Sequence, residues 1–254
     1  MSNGARTPIV AGNWKMNTDA AAARDLVEGI KAAGTSDVGG VEKILCPPFV
    51  YLPLVADLAR GTTLSVGAQD LHWEVKGAFT GEVSATMLKD FATHVIIGHS
   101  ERRQYFGETD ESVNKKLGAA LAHGLTPIVC VGETGEQRNA GQTQDVLRRQ
   151  VRGALSDIKV PVTAIIAYEP VWAIGTGVAA TAQDANDAIA FIRAEVASLQ
   201  GESTAQAVRI LYGGSVTPAN IAELVGQPEV DGGLVGGASL VAESFAAMVK
   251  AIGS

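Results

Sequence analysis

The chain has 254 residues, 46% of them hydrophobic, a mean hydropathy of +0.16 and a net charge of −7. This length and apolar content suffice for one large core, and the scattered acidic residues argue against a nucleic-acid-binding protein. Because residues 1–8 lack an apolar targeting segment and no apolar run approaches the roughly 18 residues of a membrane span, we expect a cytoplasmic protein with no membrane or nucleic-acid partner.

Short apolar runs, several of them rich in β-branched residues, recur along the whole chain and predict buried strands. Segments with helical spacing separate them, as in residues 184–199, where Ile189, Ile192 and Val196 lie three or four positions apart. The predicted strands cover residues 9–11, 44–46, 64–66, 95–97, 128–131, 164–167, 208–211 and 233–235.

Helix boundaries are predicted between these runs, where Gly34 is placed to end a helix over residues 19–33 and Thr181 with Asp184 forms a capping-box pattern. Buried strands that alternate with helices imply parallel βαβ units with right-handed crossovers. Eight such units close into a barrel more readily than they form an open sheet. Residues 1–254 are therefore predicted to form a single (β/α)8 barrel domain, with a doubly wound open sheet as the alternative.

Residues 164–181 contain a strand, a carboxylate and a glycine-rich turn in close succession. Glu169 lies just past the strand end, and Pro170 biases it away from helical backbone. The apolar tip around Trp172 and the glycines that start at Gly175 are typical of a lid that closes over a small substrate. The glycines also fit a dinucleotide-binding pattern, but such a pattern must follow its strand directly, and here it does not.

In a (β/α)8 barrel the residues just past the strand ends face the active site. The predicted strand ends bring together one carboxylate, one imidazole, one cation and two glycine pairs. A carboxylate in a dry cleft gains basicity and suits proton abstraction from a carbon beside a carbonyl group. The residues concerned are Asn13 and Lys15, His99, Glu169, Gly213 with Gly214, and Gly236 with Gly237.

Six motifs of the chain resemble, in the same order, those of one enzyme family. They are NWKMN at residues 13–17, GHSERR at 98–103, FGETDE at 106–111, YEPVWAIGTG at 168–177, YGGSV at 212–216 and LVGGASL at 234–240. Together they span nearly the whole chain and resemble the triosephosphate isomerase family. The resemblance implies the reversible interconversion of dihydroxyacetone phosphate and D-glyceraldehyde 3-phosphate through an enediolate, in glycolysis and gluconeogenesis, without an organic cofactor.

The residues at the strand ends take specific roles from this resemblance. Glu169 is expected to be the general base. His99 is expected to act on the substrate oxygens, and because it lies at a predicted helix start, the positive end of that helix favours a neutral imidazole. Lys15 and Asn13 are expected to stabilise negative charge, with Glu101 as the charge partner of Lys15.

Glycine pairs after the last two strands let backbone N–H groups approach a phosphate, and helix starts expected at Thr217 and Ala238 add a favourable dipole. The loops after strands 7 and 8 are the usual phosphate site of such barrels. Behind the site we expect an ion pair between Arg103 and Glu108. The predicted substrate-binding residues are Asn13, Lys15, Gly175, Ser215, Gly236 and Gly237.

The connection that begins at Gln69 and ends at Glu82 is long and carries Trp73 and Phe79. Large aromatic side chains on a loop need burial, either against the same chain or in a partner. The corresponding loop of the resembled family inserts into a neighbouring subunit. The resemblance therefore implies a homodimer, with Thr80 reaching the neighbouring active site.

The histidines and cysteines show no metal-ligand spacing, so no metal is predicted, and His72, His94 and His123 are interpreted as structural. Two other functions are alternatives. A sugar-phosphate epimerase with a similar barrel would need metal ligands or a second acid opposite Glu169, and a chelator would abolish its activity. A non-catalytic binding scaffold would lack one of the catalytic side chains, and all of them are present here.

Overall fold

A computed structural model describes residues 6–173 and 180–253 of the chain. These residues include eight parallel strands that close into a barrel in sequence order. The strands are β1 Ile9–Asn13, β2 Glu42–Cys46, β3 Leu64–Ala68, β4 His94–Ile97, β5 Thr126–Val131, β6 Ile165–Tyr168, β7 Arg209–Tyr212 and β8 Gly232–Val235. The predicted (β/α)8 barrel is confirmed, and the pairing of Ile9 with Gly232, which joins β1 to β8, excludes the open sheet.

Helices connect the successive strands. In the described part of the chain they are α1 Ala20–Ala32, α2 Leu52–Ala59, α3 Ala85–Leu88, α4 Ser100–Tyr105, α5 Asp110–Ala122, α6 Gly135–Asn139, α7 Thr143–Leu155, α8 Ala182–Gln200, α9 Glu202–Ala207, α10 Ile221–Val225 and α11 Ala242–Ile252. Within residues 6–173 and 180–253, none of these helices combines the length and the apolar character that crossing a membrane requires.

Two helix boundaries follow the predicted caps. Asp19 accepts a hydrogen bond from the N–H of Ala22 at the start of α1, and Gly34 follows the end of α1 with a left-handed φ of 71°. Thr181 and Asp184 exchange hydrogen bonds as a capping box at the start of α8. The capping box fixes the start of the helix that follows the β6 loop.

The helix starts expected after the last two strands are wrong. Thr217 lies four residues ahead of Ile221, where α10 begins, and residues 218–220 form a turn between them. In this turn the Thr217 carbonyl accepts a hydrogen bond from the N–H of Ile221 (3.1 Å), and the Asn220 side chain accepts one from the N–H of Thr217 (2.8 Å). After β8, Ala238 lies in a 3₁₀ helix rather than an α-helix. Neither glycine pair is therefore followed directly by an α-helix start.

Apolar side chains fill both sides of the barrel wall. In β1, Ile9 and Ala11 belong to the cluster inside the barrel, whereas Val10 packs toward the helices, as the alternation of strand side chains requires. At the N-terminal end of the barrel Glu42 pairs with His94 (3.0 Å). Because the interior is filled, the C-terminal strand ends remain as the place for a site. The interior cluster is Ile9, Ala11, Ile44, Cys46, Ile96, Ile128, Cys130, Ile165, Ala167, Leu211 and Leu234.

Candidate active site

The four side chains predicted to be catalytic lie at the C-terminal ends of the strands. Asn13 ends β1 and is buried, and Lys15 lies two residues beyond it. His99 is the N-cap of α4, and Glu169 directly follows β6. Residues that are far apart in sequence converge because parallel strands of a closed barrel all end on one face.

Glu169 and His99 are in direct contact. The Oε1 atom of Glu169 lies 2.8 Å from Nε2 of His99, and Oε2 accepts a hydrogen bond from the N–H of Ser100 (2.9 Å). Glu169 is only 2% exposed and His99 5%. The two groups share one site, and their side chains are in contact rather than separated by a gap. A substrate that fits between them must separate them.

The orientation of the His99 ring is set by the start of α4. The N–H of Glu101 points at Nδ1 of His99 (3.2 Å), so Nδ1 accepts and a neutral imidazole carries its proton on Nε2. Nε2 is the atom that faces Glu169. The ring can therefore donate a hydrogen bond into the site while it remains neutral.

The contact shifts the pKa values of His99 and Glu169 in opposite directions. Burial lowers the pKa of His99, but the charge of Glu169, its hydrogen bond and the charge of Glu101 outweigh burial and raise that pKa above its usual value. Burial raises the pKa of Glu169, but His99 and the N–H of Ser100 outweigh burial and lower that pKa. The contact thus makes protonation of His99 easier than it would be without Glu169. The N–H of Glu101 at Nδ1 is compatible only with the neutral imidazole predicted from the sequence, which can donate from Nε2 to Glu169.

Lys15 is held in a strained backbone conformation, with a φ of 54°. The side chain of Asn13 accepts a hydrogen bond from the N–H of Lys15 (3.0 Å), and the Gln69 amide donates to the carbonyl oxygens of Lys15 and Cys46 (both 2.9 Å). The Nζ atom of Lys15 lies 2.6 Å from Oε1 of Glu101. Sequence reasoning missed Gln69, although its place directly after β3 was a usable signal.

Of the six predicted substrate-binding residues, five lie in the described chain, and Ser215, Gly236 and Gly237 are those on the loops after β7 and β8. A Cβ atom added to Gly236 would lie 3.5 Å from Cε of Lys15, so the loop after β8 borders the lysine. Gly237 has open space where a side chain would project, and the Ser215 carbonyl accepts a hydrogen bond from Asn220 (2.9 Å). Gly175 lies outside the described residues.

Comparison with known proteins identifies the family. A model of the family described as triosephosphate isomerase matches residues 8–252. The chain belongs to the triosephosphate isomerase family. Among its relatives, the triosephosphate isomerase of Moorella thermoacetica is 57% identical and covers 96% of this chain and 98% of its own length. That of Chloroflexus aurantiacus is 55% identical and covers 94% of this chain and 97% of its own length.

A solved structure supports the same family assignment at lower sequence identity. The crystal structure of triosephosphate isomerase from Bartonella henselae superimposes with a TM-score of 0.88 at 40% identity, and it covers 96% of this chain and 98% of that chain. The resemblance read from the six motifs is confirmed. The chain is an isomerase, and the alternative of a non-catalytic scaffold is not supported.

The glycine pair after β7 lies against Glu169 and Tyr212, and the N–H of Gly213 is engaged within the protein rather than free for a phosphate. The N–H of Gly213 donates to the Tyr168 carbonyl (2.7 Å), and an added Cβ atom at Gly213 would lie 2.9 Å from Cγ of Glu169. A side chain at Gly214 would overlap the Tyr212 hydroxyl. The absence of side chains at these positions makes room for Glu169 and Tyr212 in the triosephosphate isomerase site.

Glu133 is a buried carboxylate that sequence reasoning missed. Its side chain is fully buried and accepts hydrogen bonds from the Tyr168 hydroxyl (3.1 Å) and from Nε1 of Trp172 (2.9 Å). The Arg138 guanidinium stacks on the Trp172 ring at 4.2 Å. Glu133 therefore ties the residues on both sides of Glu169 to the loop after β5. Its position two residues past the end of β5 could have identified Glu133 as a candidate from the sequence.

The expected ion pair between Arg103 and Glu108 is wrong. Arg103 instead pairs with Asp110 (2.7 Å) and donates to the Gly98 carbonyl (2.9 Å). Glu108 pairs with Arg102 (2.5 Å). Adjacent residues of α4 point in different directions, so the two arginines select different acids even though the acids are close in sequence.

A cleft of about 740 Å³ opens between the loops after β4 and β5 and reaches the side of Glu169. Arg103, Gln104, Gln137 and Arg149 contribute to its lining, whereas Lys15, Asn13 and Ser215 do not. The cleft is therefore distinct from the side of Glu169 on which the proposed substrate contacts lie.

Gly132 is expected to be intolerant of even a methyl group. A Cβ atom there would overlap the carbonyl oxygen of Glu169, whereas one at Gly118 in α5 would meet only Ile158 at 3.7 Å. Gly132→Ala should therefore destabilise the protein by about 1–3 kcal/mol or more and lower kcat, because it displaces the backbone of Glu169. Gly118→Ala should stabilise by about 0.5–1 kcal/mol. Denaturant unfolding and steady-state kinetics of both variants measure this contrast, and equal stabilities would contradict it.

Proposed function

We propose that the chain interconverts dihydroxyacetone phosphate and D-glyceraldehyde 3-phosphate with Glu169 as the general base. The observation that carries the proposal is the buried contact of Glu169 with Nε2 of His99, at the strand ends of a barrel that belongs to the triosephosphate isomerase family. The carboxylate moves one proton between C1 and C2 of the substrate. Because the carbonyl and hydroxyl groups exchange places between C1 and C2 of one molecule, the reaction is balanced internally and needs no redox partner.

A change in the partners of Glu169 supplies the basicity that this step needs. In the contact described above, His99 and the N–H of Ser100 lower the pKa of Glu169. When the carboxylate moves to the substrate carbon it leaves both groups, while burial, which raises its pKa, persists. The pKa of Glu169 therefore rises toward that of a useful general base. His99 loses its anionic neighbour in the same movement, and its Nε2–H becomes free to donate to the substrate oxygens.

Charge that develops on the enediolate is stabilised by Lys15 and Asn13 in this proposal. The strained backbone and the two amide contacts hold Lys15 before substrate arrives, so no reorganisation is required during the reaction. Binding of the phosphate is assigned to Ser215, Gly236 and Gly237, together with Gly175 outside the described residues. The proximity of Gly236 to Lys15 supports one shared anionic site.

An isomerase assay coupled to a dehydrogenase tests this function directly. Turnover of dihydroxyacetone phosphate that persists in the presence of a chelator supports the proposal. The epimerase alternative requires chelator-sensitive activity on a sugar phosphate instead. In residues 6–173 and 180–253, no group of three or more His, Cys, Asp or Glu side chains is arranged to hold a metal ion, which does not favour that alternative. Absence of isomerase turnover would refute the proposal.

A homodimer formed partly by loop 69–82 belongs to the same proposal. Large hydrophobic side chains are exposed on loops and at the end of α4, among them Met16 (96%), Phe79 (44%), Tyr105 (69%) and Phe106 (68%). Phe79 contacts only the His72 ring among aromatic groups of the described chain (4.3 Å). Such side chains favour burial by a second subunit, with Thr80 on the same loop reaching that subunit's site.

Phe79→Asp is expected to shift the protein from dimer to monomer, because a carboxylate on this loop cannot be buried without a partner charge. Sedimentation velocity at micromolar concentration measures the shift. Val162→Asp serves as the control, since Val162 is also exposed (53%) but lies just before β6, away from the loop. A wild-type protein that sediments as a monomer with full isomerase activity would contradict the proposed dimer.

The remaining parts of the proposal concern organisation and location. We take the whole chain as one catalytic domain, which the family match over residues 8–252 and the single closed barrel support. A role in glycolysis and gluconeogenesis follows from the reaction. The free, buried thiols of Cys46 and Cys130 fit a reducing compartment such as the cytoplasm.

A further inference from the structure

Four charged side chains meet behind the candidate active site and form what we call the Asp70 cluster: Asp70, Arg102, Glu108 and Lys116. The Nζ atom of Lys116 contacts Oδ1 of Asp70 (2.6 Å) and Oε1 of Glu108. The Nε atom of Arg102 contacts Oδ2 of Asp70 (2.9 Å) and the same Glu108 oxygen (2.5 Å). Asp70 and Lys116 are each only 4% exposed.

The two carboxylates of the cluster compete for the same cations in a buried space. Both acids bind the same Lys116 and the same Arg102, and Glu108 does so through one oxygen. Its other oxygen, Oε2, is buried without a hydrogen-bond partner among the described residues. Two carboxylates in such a site repel each other, and a proton on one of them relieves the repulsion.

The cluster also connects the two elements that hold Lys15. Asp70 directly follows Gln69, whose amide donates to the Lys15 carbonyl. Arg102 directly follows Glu101, whose carboxylate pairs with Nζ of Lys15. An ionised Asp70 that binds Arg102 therefore ties the β3 loop to α4 at the point where both support the lysine.

We propose that Asp70 is a proton-binding positioning residue, which couples solution pH to the support of Lys15. In the ionised form Asp70 holds both Lys116 and Arg102. In the protonated form it loses charge assistance to Arg102, which keeps only Glu108, and the link between the β3 loop and α4 weakens. The kinetic part of this inference rests on the proposed function of Lys15.

The pKa values of the two acids shift in opposite directions, and this difference assigns the proton to Asp70. Burial raises the pKa of Asp70 to about 6, Lys116 and Arg102 oppose this rise, and Glu108 adds to it. Burial also raises the pKa of Glu108, but its hydrogen bonds and charge interactions with Lys116 and Arg102 outweigh burial and lower that pKa. The charged groups that face Asp70 come from α5 (Lys116), α4 (Arg102) and the loop between them (Glu108), and Asp70 is the acid that takes up the proton.

The sign of the stability effect is set by this raised pKa. Because the folded state binds the Asp70 proton more tightly than the unfolded state, stability from this group is present at low pH and is lost as pH rises from 3.8 through about 6. The unfolding equilibrium constant should rise roughly a hundredfold over that range through this group alone. Ionised Asp70 therefore opposes folding at neutral pH while it supports Lys15.

Asp70→Asn separates these two effects, because Asn keeps the shape but cannot bind the proton. Denaturant unfolding should give equal stability for wild type and Asp70→Asn near about pH 4, and a roughly hundredfold smaller unfolding equilibrium constant for Asp70→Asn at about pH 8. Glu111→Gln is the matched control. It removes an exposed carboxylate that pairs with Lys115 on the helix of Lys116, and it should give no gain in stability at neutral pH.

Activity should change in the opposite direction. The ratio of wild-type to Asp70→Asn kcat/KM should be close to one at about pH 5 and should rise to roughly threefold or more at about pH 8. Titration of the substrate phosphate, Glu169 and His99 affects both proteins and cancels in the ratio. The same ratio for Glu111→Gln should stay constant. A ratio for Asp70→Asn that does not change with pH overturns the positioning role.

The uptake of a proton by Asp70 is tested separately from its effect on Lys15. A stability difference between wild type and Asp70→Asn that does not change with pH overturns it. If Asp70→Asn does not fold, Glu108→Gln carries the test, because loss of the second carboxylate should move the Asp70 titration to lower pH. Aspartate labelled with ¹³C at the carboxyl carbon reports that titration directly. These measurements need no substrate, so they remain valid even if the isomerase assignment fails in the coupled assay.

Discussion

Replacing Glu169 with Gln is expected to lower kcat by roughly 10²–10⁴-fold, or about 3–5 kcal/mol of activation free energy. Gln keeps the shape of the side chain and can still accept the hydrogen bond from the N–H of Ser100, but its amide cannot remove a proton from carbon. KM should change little, because the proposed phosphate contacts come from other loops. Steady-state kinetics in the coupled assay measure both constants.

Two further variants make this measurement specific. Glu169→Asp keeps the carboxylate, but its side chain is shorter by one methylene group and cannot reach the same position. The kcat should therefore fall although an ionisable acid is still present. Glu195→Gln neutralises another largely buried carboxylate, which lies on the outer helix α8 and pairs with Arg148 and Arg152 of α7. This variant should leave kcat within about twofold. A near-wild-type kcat for Glu169→Gln would remove that residue from the role of base.

The contact between Glu169 and His99 explains how one movement prepares both groups. In contact, the carboxylate keeps a lowered pKa and the imidazole a raised one. A general base needs a higher pKa than this, and a neutral hydrogen-bond donor needs an imidazole with a lower one, so both shifts oppose the proposed roles. Separation of the two groups by the substrate reverses both shifts at once. In the proposed mechanism, Glu169 and His99 therefore acquire their reactive states when the substrate separates them.

The fold could be predicted because its signal is local. Each strand is an apolar run, and each run is followed by a helical segment, so the count and alternation of elements specify a parallel barrel. The boundaries after the last strands could not be predicted in the same way. A turn over residues 218–220, with a hydrogen bond from the N–H of Thr217 to the Asn220 side chain, delays the start of α10 to Ile221, and the sequence pattern does not distinguish this turn from a first helical turn.

The strand-end rule predicted where His99, Lys15 and Glu169 lie, because every parallel strand ends on one face. It could not identify contacts that depend on how neighbouring loops pack. Gln69 acts on the carbonyl of Lys15, 54 positions away in sequence. Glu133 reaches Trp172 across 39 positions. Such partners follow from the order of strands around the barrel, which places β3 next to β2 and β5 next to β6.

Replacing Lys15 with Met is expected to lower kcat/KM by roughly 10²–10³-fold, since it removes the positive charge assigned to the phosphate and the enediolate. Met is unbranched and similar in length, and it adopts the left-handed φ of this position no less readily than Lys, so the backbone cost is unchanged. Glu101 loses its partner, but its side chain is 40% exposed, so stability should change by less than about 1 kcal/mol.

The control for Lys15→Met is Lys31→Met, which breaks a Lys–Glu pair of the same kind with Glu28 on the exposed face of α1. It should leave kcat/KM within about twofold, because no charge of the reaction lies near it. If Lys15→Met raised only KM, the lysine would bind the phosphate without stabilising the enediolate. If both kinetic constants matched those of Lys31→Met, the strained backbone at position 15 would need another explanation, and the shared anionic site between Lys15 and Gly236 would have no experimental support.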